Sequence, residues 1–318
     1  MVSVTVDCRA RWHHKLDLMI ASSPFDLSLQ AIPVTRRSLS VLGSTTRFWE
    51  YGDPAATTTI VMVHGFRGDH HGLEPVVAQN LPGVRIVSPD LPGFGESTPF
   101  PERSHDIDGY AAWLAGFVQQ LAPTGRVVLL GHSFGSIIVS AAVAGGLPAD
   151  AVVLVNPIAA PALSGPRGVL TRLAVFYYWA GARLPERLGY ALLRNRAIVR
   201  VMSVSMTKTR EPALRTWIHA EHDRYFSAFA NRQVVLEAFR ASVGHDVSEY
   251  ARRITAPTLL VAADRDDITP LAAQHRLLRL FPQASLTVIE GVGHLIHYEK
   301  PAQAAAAITA FLALQDQS

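Results

Sequence analysis

Short runs of Val, Ile and Leu recur along this chain, at 59–63, 84–87, 127–130, 151–155, 258–261 and 285–289. Runs that stay apolar at successive positions, without polar alternation, mark strands covered on both faces, as in a parallel sheet clad by helices. Helix-forming segments at 73–80, 107–121, 134–144, 271–280 and 302–314 separate most of the runs and supply the crossovers. This alternation predicts an α/β fold with a doubly wound sheet. Upstream, 37–42 and 45–51 flank Gly43-Ser44 and read as a β-hairpin.

One interval breaks the rhythm. Residues 157–245 hold no strand-like run, but carry aromatic and basic residues at helical spacing: Leu173, Phe176, Tyr177 and Trp179, then Trp217, Ile218, Tyr225, Phe226 and Phe229. An insertion of this size after a sheet strand predicts a helical cap over the strand ends. Its aromatics predict a largely apolar pocket. The expected organisation is an N-terminal extension at 1–33, surface-packed or partly disordered, a core made of 34–156 and 246–318, and the cap at 157–245. A hydrophobic content of 49% against 17% charged residues suits a sizeable buried core.

Other classes are disfavoured. The net charge is +3 and the arginines are scattered rather than blocked into a stripe, so no nucleic-acid partner is expected. Cys8 is the single cysteine, which leaves no intramolecular disulfide and no thiolate metal cluster. The first 20 residues lack the basic-then-apolar layout of a signal peptide, and no apolar run reaches membrane-spanning length. A cytoplasmic protein with no membrane span is expected. His219 and His222 read as a polar helix face, and His70 and His71 lack metal-site spacing.

The chemistry concentrates in Gly131-His132-Ser133-Phe134-Gly135, set between a strand and a helix. A serine on so tight a turn stands clear of the backbone beside the N–H groups of a new helix. It needs a base, and the base needs an orienting acid. The order Ser…Asp…His is met by Asp264, Asp266 and Asp267 after the 258–261 run, and by His294 in Gly291-Val292-Gly293-His294 after the 285–289 run. Strand order alone leaves the choice among the three aspartates open.

With His64-Gly65, the stretch Asp90-Leu91-Pro92-Gly93-Phe94-Gly95-Glu96-Ser97, the serine pentapeptide, Asp266-x-x-x-Pro270 and Gly293-His294-x-x-x-x-Glu299-x-Pro301, the chain resembles the α/β-hydrolase superfamily. The likeness is to its cap-bearing esterase, lactonase, haloperoxidase-like and epoxide-hydrolase-like members, and spans residues 45–314 apart from the cap. It implies the α/β-hydrolase fold, a mostly parallel eight-stranded sheet with helices on both faces and an inserted helical cap. It implies Ser133 as nucleophile, His294 as general base and Asp266, four residues before Pro270, as acid. The oxyanion donors would be the backbone N–H groups of Phe66 and Phe134, and the Asp90–Ser97 stretch would shape a turn near the site. No metal and no organic cofactor are implied.

Serine at the elbow, where dehalogenases and epoxide hydrolases of this fold carry aspartate, implies acyl transfer. The expected function is hydrolysis of an ester or lactone of a largely apolar small molecule. C–C bond hydrolysis, or cofactor-free haloperoxidase (perhydrolase) chemistry on the same triad, are the alternatives. A non-enzymatic small-molecule receptor is the reading from a different class. The sequence does not set the oligomeric state.

Overall fold

The computed structural model describes residues 23–160 and 168–315. Residues 1–22 of the expected extension, Cys8 among them, and 161–167 of the expected cap lie outside the described residues, as does the Leu173 side chain.

Eight strands form one sheet in the order β1-β2-β4-β3-β5-β6-β7-β8. β1 (Val34–Val41) and β2 (Ser44–Tyr51) make the hairpin, and β2 runs antiparallel to β4 (Val84–Pro89). From β4 through β3 (Thr58–Val63), β5 (Arg126–His132), β6 (Ala151–Val155) and β7 (Thr258–Ala263) to β8 (Ala284–Ile289), all neighbours are parallel. The expected fold class is what forms.

The burial explains the apolar runs. Along β3, Ile60 and Met62 point into one core layer while Val61 and Val63 point into the other; along β5, Val128 and Leu130 oppose Leu129 in the same way. The helices, in chain order, are α1 (Asp26–Gln30), α2 (Glu74–Val77), α3 (Ile107–Leu121), α4 (Phe134–Ala144), α5 (Gly168–Arg183), α6 (Glu186–Leu193), α7 (Arg196–Met206), α8 (Pro212–Tyr225), α9 (Arg232–Gly244), α10 (Leu271–Leu278), α11 (Ile296–Glu299) and α12 (Pro301–Gln315). One layer packs under α3 and α4 through Trp113, Phe117 and Ile137, and the other under α2 and α12 through Val77, Ile308 and Phe311. Five helices, α5 to α9, stand between β6 and β7 in the chain.

Three local expectations shift. The hairpin turns on Leu42-Gly43, both at positive φ, rather than on Gly43-Ser44. Ser44 is drawn into β2 opposite Val41, and its buried hydroxyl donates to the Thr98 carbonyl. The helix expected over 73–80 is a 3-10 turn at His70–Leu73 followed by the four-residue α2; Asn80, at φ 52°, terminates the segment. The described part of the extension is packed: Phe25 meets Trp217 edge-on at 5.4 Å, and Ile32 is buried.

Candidate active site

β5 ends at His132 and α4 starts at Phe134, so Ser133 is the single residue on which the chain turns back. Its φ of 52° and ψ of −117° are held only where the surroundings over-determine them, at a cost of about 1–3 kcal/mol. The surroundings do so here. Ser133 N–H donates to the Val155 carbonyl at 3.0 Å, and the Ser133 carbonyl accepts from Ser136 N–H at 2.9 Å. The flanking glycines are required by close approach: a Cβ on Gly131 would overlap the Gly135 carbonyl, and one on Gly135 the Val63 carbonyl. Because the Val63 carbonyl is backbone inside the sheet and cannot give way, Gly135→Ala should destabilise the fold by about 3 kcal/mol or more, read from the midpoint of a urea titration.

The structure brings Ser133, His294 and Asp266 together from the C-terminal ends of β5, β8 and β7. His294 Nε2 lies 2.8 Å from Ser133 Oγ, and its Nδ1 lies 2.8 Å from Asp266 Oδ2. With Nδ1–H donating to the carboxylate, Nε2 is left to accept the serine proton. His294 and Asp266 are buried, at 6% exposure each, while Ser133 is half-buried.

Asp266 is the most heavily hydrogen-bonded group of the site. Oδ1 accepts the N–H groups of Ile268 at 2.8 Å and Thr269 at 3.1 Å, while Oδ2 also accepts Thr269 Oγ1 at 3.0 Å and Asn156 Nδ2 at 2.9 Å. Burial alone would push this carboxyl up; His294 and these donors outweigh it and hold the carboxyl down at about 2. The rival aspartates point elsewhere. Asp264 accepts from Val292 N–H and lies 3.7 Å from the Arg265 Nε, whereas Asp267 pairs with Lys208 Nζ at 2.5 Å.

Asn156 escaped the sequence reading. It closes β6 at φ 45°, a conformation asparagine tolerates, and its amide spans Asp266 and the Gly293 carbonyl. The one available signal was an asparagine directly after an apolar strand.

The two expected oxyanion donors are differently built. Phe134 is the first residue of α4, so its N–H has no acceptor within the helix. Phe66 occupies the second position of a turn closed by Gly68 N–H donating to the Gly65 carbonyl at 3.1 Å, where the backbone N–H is left outside the turn's own bond. Both residues line the same cavity as Ser133. His64 braces this turn: its Nδ1 lies 2.8 Å from the Gly65 carbonyl, and its Nε2 accepts from Leu91 N–H at 2.9 Å. Leu91 belongs to the Asp90–Ser97 stretch, where buried Asp90 ties down the N–H groups of His70 and Glu96, both at 2.8 Å. The stretch is a bracing turn, as expected.

Arg67, the other central residue of that turn, was not anticipated. At φ 62° and 1% exposure it leaves the core and enters the inserted helices. Nε donates to the Phe226 carbonyl at 2.8 Å, one Nη to the Leu193 carbonyl at 2.8 Å and the other to Tyr178 Oη at 3.2 Å. Leu193 ends α6 and Phe226 follows α8, so the guanidinium sits at the negative ends of two helices. Arg67→Met strands the Phe226 carbonyl and the buried Tyr178 hydroxyl, leaving the Leu193 carbonyl to Tyr177 Oη, and should cost about 3 kcal/mol in a urea titration, with faster limited proteolysis between residues 168 and 245.

A cavity of about 210 Å³ opens on Ser133. Its apolar wall is Phe66, Phe134, Ile158, Met202, Met206 and Phe226. Of the aromatic residues marked in the sequence, Phe226 reaches the cavity; Phe176 and Trp179 face solvent, Trp217 is buried in packing, and Tyr225 stacks on His71. The methionines of α7 take the place expected of the aromatics.

His219 and His222 do not form a polar face. Both are buried, with Ser203 Oγ 2.6 Å from the Nδ1 of each. α8 turns them inward because Trp217 and Ile218 beside them pack against Leu295 and Tyr298. Burial pushes His132 and His222 down to about 3, so both are neutral near pH 7. Asp69, His70 and His71 each offer a ligand atom within 4.8 Å of one another. These atoms are already engaged, His70 Nδ1 with Asp90 at 2.8 Å and His71 Nδ1 with Asp69 at 3.1 Å.

Comparison with known proteins adds a family. Residues 60–308 match the profile of the alpha/beta hydrolase family. Lipase 1 of Psychrobacter immobilis is 24% identical over 268 residues, covering 81% of this chain and 78% of the lipase. The 2-hydroxy-6-oxononadienedioate/2-hydroxy-6-oxononatrienedioate hydrolase 2 of Pseudomonas putida is 26% identical over 264 residues, covering 76% of this chain and 82% of that enzyme. Among solved structures, a thermophilic esterase from Thermogutta terrifontis superposes with a TM-score of 0.70 at 23% identity, covering 88% of this chain and 99% of the esterase.

Proposed function

This chain belongs to the alpha/beta hydrolase family, and from that premise we propose that it is a cofactor-independent serine hydrolase cleaving an ester or lactone bond of a largely apolar small molecule. The observation that carries the reading is the continuous chain from Ser133 Oγ through His294 to Asp266, 2.8 Å at each link, opening on an apolar cavity.

His294 Nε2 takes the Ser133 proton as Oγ attacks the carbonyl carbon, and Asp266 holds the imidazolium that forms. The N–H groups of Phe66 and Phe134 receive the oxyanion, each donor worth about 3 kcal/mol of barrier. The imidazolium proton passes to the departing alkoxide, leaving an acyl-serine. Water then gives a proton to Nε2 and attacks the acyl carbon, and the returning proton regenerates Ser133. Residues 157–245 act as a cap, with Met202, Met206 and Phe226 selecting an apolar substrate portion.

The Pseudomonas relative's name describes a dioate substrate, which points to C–C bond hydrolysis as the second reading. The cavity argues for the ester. Arg67 is the one Lys or Arg among its described lining residues, and its guanidinium is committed to two carbonyls and a tyrosine hydroxyl. A dianionic substrate would find no uncommitted Lys or Arg among these described residues.

The test is a panel of chromogenic esters of graded acyl length, with an organophosphonate as active-site label. Hydrolysis of at least one ester and a mass adduct on Ser133 are expected. No turnover of any ester together with no adduct overturns the reading.

A further inference from the structure

We propose that the outer face of α5, α6 and α7 docks on an anionic lipid bilayer. The face carries large apolar side chains in water: Phe176 is 62% exposed, Leu188 60% and Val201 69%, with Trp179 on α5, Val204 on α7 and Leu184 in the link between α5 and α6 exposed as well. Single exposed apolar residues are ordinary, but a series on consecutive helices marks an interaction surface.

The charge selects the partner. Residues 168–210 contain eight Lys and Arg and one acid, Glu186; the segment therefore holds +7 and the rest of the chain −4 of the net +3. Read along the sequence the arginines look scattered, because the helices space them out. Arg200 pairs with Asp223 and Lys208 with Asp267, while the exposed Arg183, Arg187, Arg194 and Arg196 stand on or between α5, α6 and α7. Arg183 lies over the Trp179 ring at 5.8 Å, and Phe176 stacks on that ring at 5.7 Å. Aromatic and arginine side chains side by side suit the level of lipid headgroups, where rings enter the acyl boundary and guanidinium groups meet phosphates. A second copy seated face to face would set Arg183, Arg187, Arg194 and Arg196 against their like, so self-association through this face is opposed. No helix among the described residues is long and apolar enough to cross a membrane.

The placement gives the docking a consequence for substrate. α7 carries Val201 and Val204 outward while Met202 and Met206 line the cavity, so one helix, about 10 Å thick, separates the face from the substrate pocket. Resting on the acyl-serine reading above, this makes the substrate an ester that partitions into the bilayer.

The experiment is vesicle flotation with pure phosphatidylcholine and with phosphatidylcholine containing about one-third phosphatidylglycerol. Wild type should float with the anionic vesicles about tenfold more than with the neutral ones, and lose this as salt is raised. Phe176→Ser with Trp179→Ser, and separately Arg183→Glu with Arg187→Glu, should each reduce flotation about tenfold while leaving turnover of a short soluble ester unchanged. Absence of wild-type flotation, or variants that float like wild type, overturns the proposal. So does a concentration-dependent dimer in analytical ultracentrifugation that the serine variants dissolve, since the face then belongs to a second copy. Flotation needs no turnover. A protein that floats but cleaves no ester fails the hydrolase reading alone; one that cleaves esters but never floats fails the docking alone.

Discussion

Ser133→Ala should lower kcat/KM on a chromogenic ester by about 10⁵-fold and abolish the phosphonate adduct, with the urea midpoint unchanged. The unchanged stability is part of the expectation. Alanine keeps the Cβ, so the φ of 52° costs the same in both proteins, and the backbone bonds to Val155 and Ser136 persist. Ser133→Gly should be equally inactive yet more stable by about 1 kcal/mol, because glycine adopts positive φ without penalty. His294→Ala should fall nearly as far as Ser133→Ala, and the double variant little further, since residues acting as a unit do not lose rate additively. A double variant whose loss is the product of the two single losses would show that serine and histidine work independently.

Asp266→Asn should cost about 10⁴-fold in kcat and leave substrate affinity nearly intact. The asparagine amide can present N–H to His294 Nδ1, which turns the imidazole to the tautomer whose Nε2 carries the proton and cannot accept the one on Ser133. Asp264→Asn and Asp267→Asn should stay within a few-fold of wild type, because those side chains serve Val292 and Lys208. Stability provides a second readout. The Asp266 carboxyl is held at about 2 against an ordinary 3.8, so its ionised form favours the folded state. That stabilisation, about 2 kcal/mol, is complete above pH 4 and disappears as pH falls through the folded value near 2. Wild type and Asp266→Asn should therefore differ in urea midpoint at pH 7 and converge toward pH 2. Equal midpoints at pH 7 would remove Asp266 from its ionised, hydrogen-bonded role.

The strands were legible because burial on both sheet faces forces apolar residues at successive positions, as at Ile60, Val61, Met62 and Val63. Their ends were not. β5 runs on through His132 and β4 through Ser88 and Pro89, since pairing with a neighbour, not hydropathy, carries a strand to its last residue. The places of Ser133 and His294 could be read because a glycine-bounded turn and a strand-end loop leave local marks. Asn156 could not, since it acts on Asp266, 110 residues away. Arg67 carries no local mark; its buried environment is assembled from Tyr178, Leu193 and Phe226, each far along the chain. The inward turn of His219 and His222 was hidden for the same reason. Helical spacing tells which residues share a face, not which neighbour that face will meet.

Arg67 also bears on how this protein could diverge. Its three hydrogen bonds tie the turn after β3 to helices encoded more than a hundred residues later. The inserted helices are thus not an interchangeable module. A graft of foreign helices between β6 and β7 would meet a guanidinium with no carbonyls to receive it, unless position 67 changed in the same step. New specificity should therefore arise here more readily by substitution within the existing helices, at Met202 or Met206, than by exchange of the whole segment.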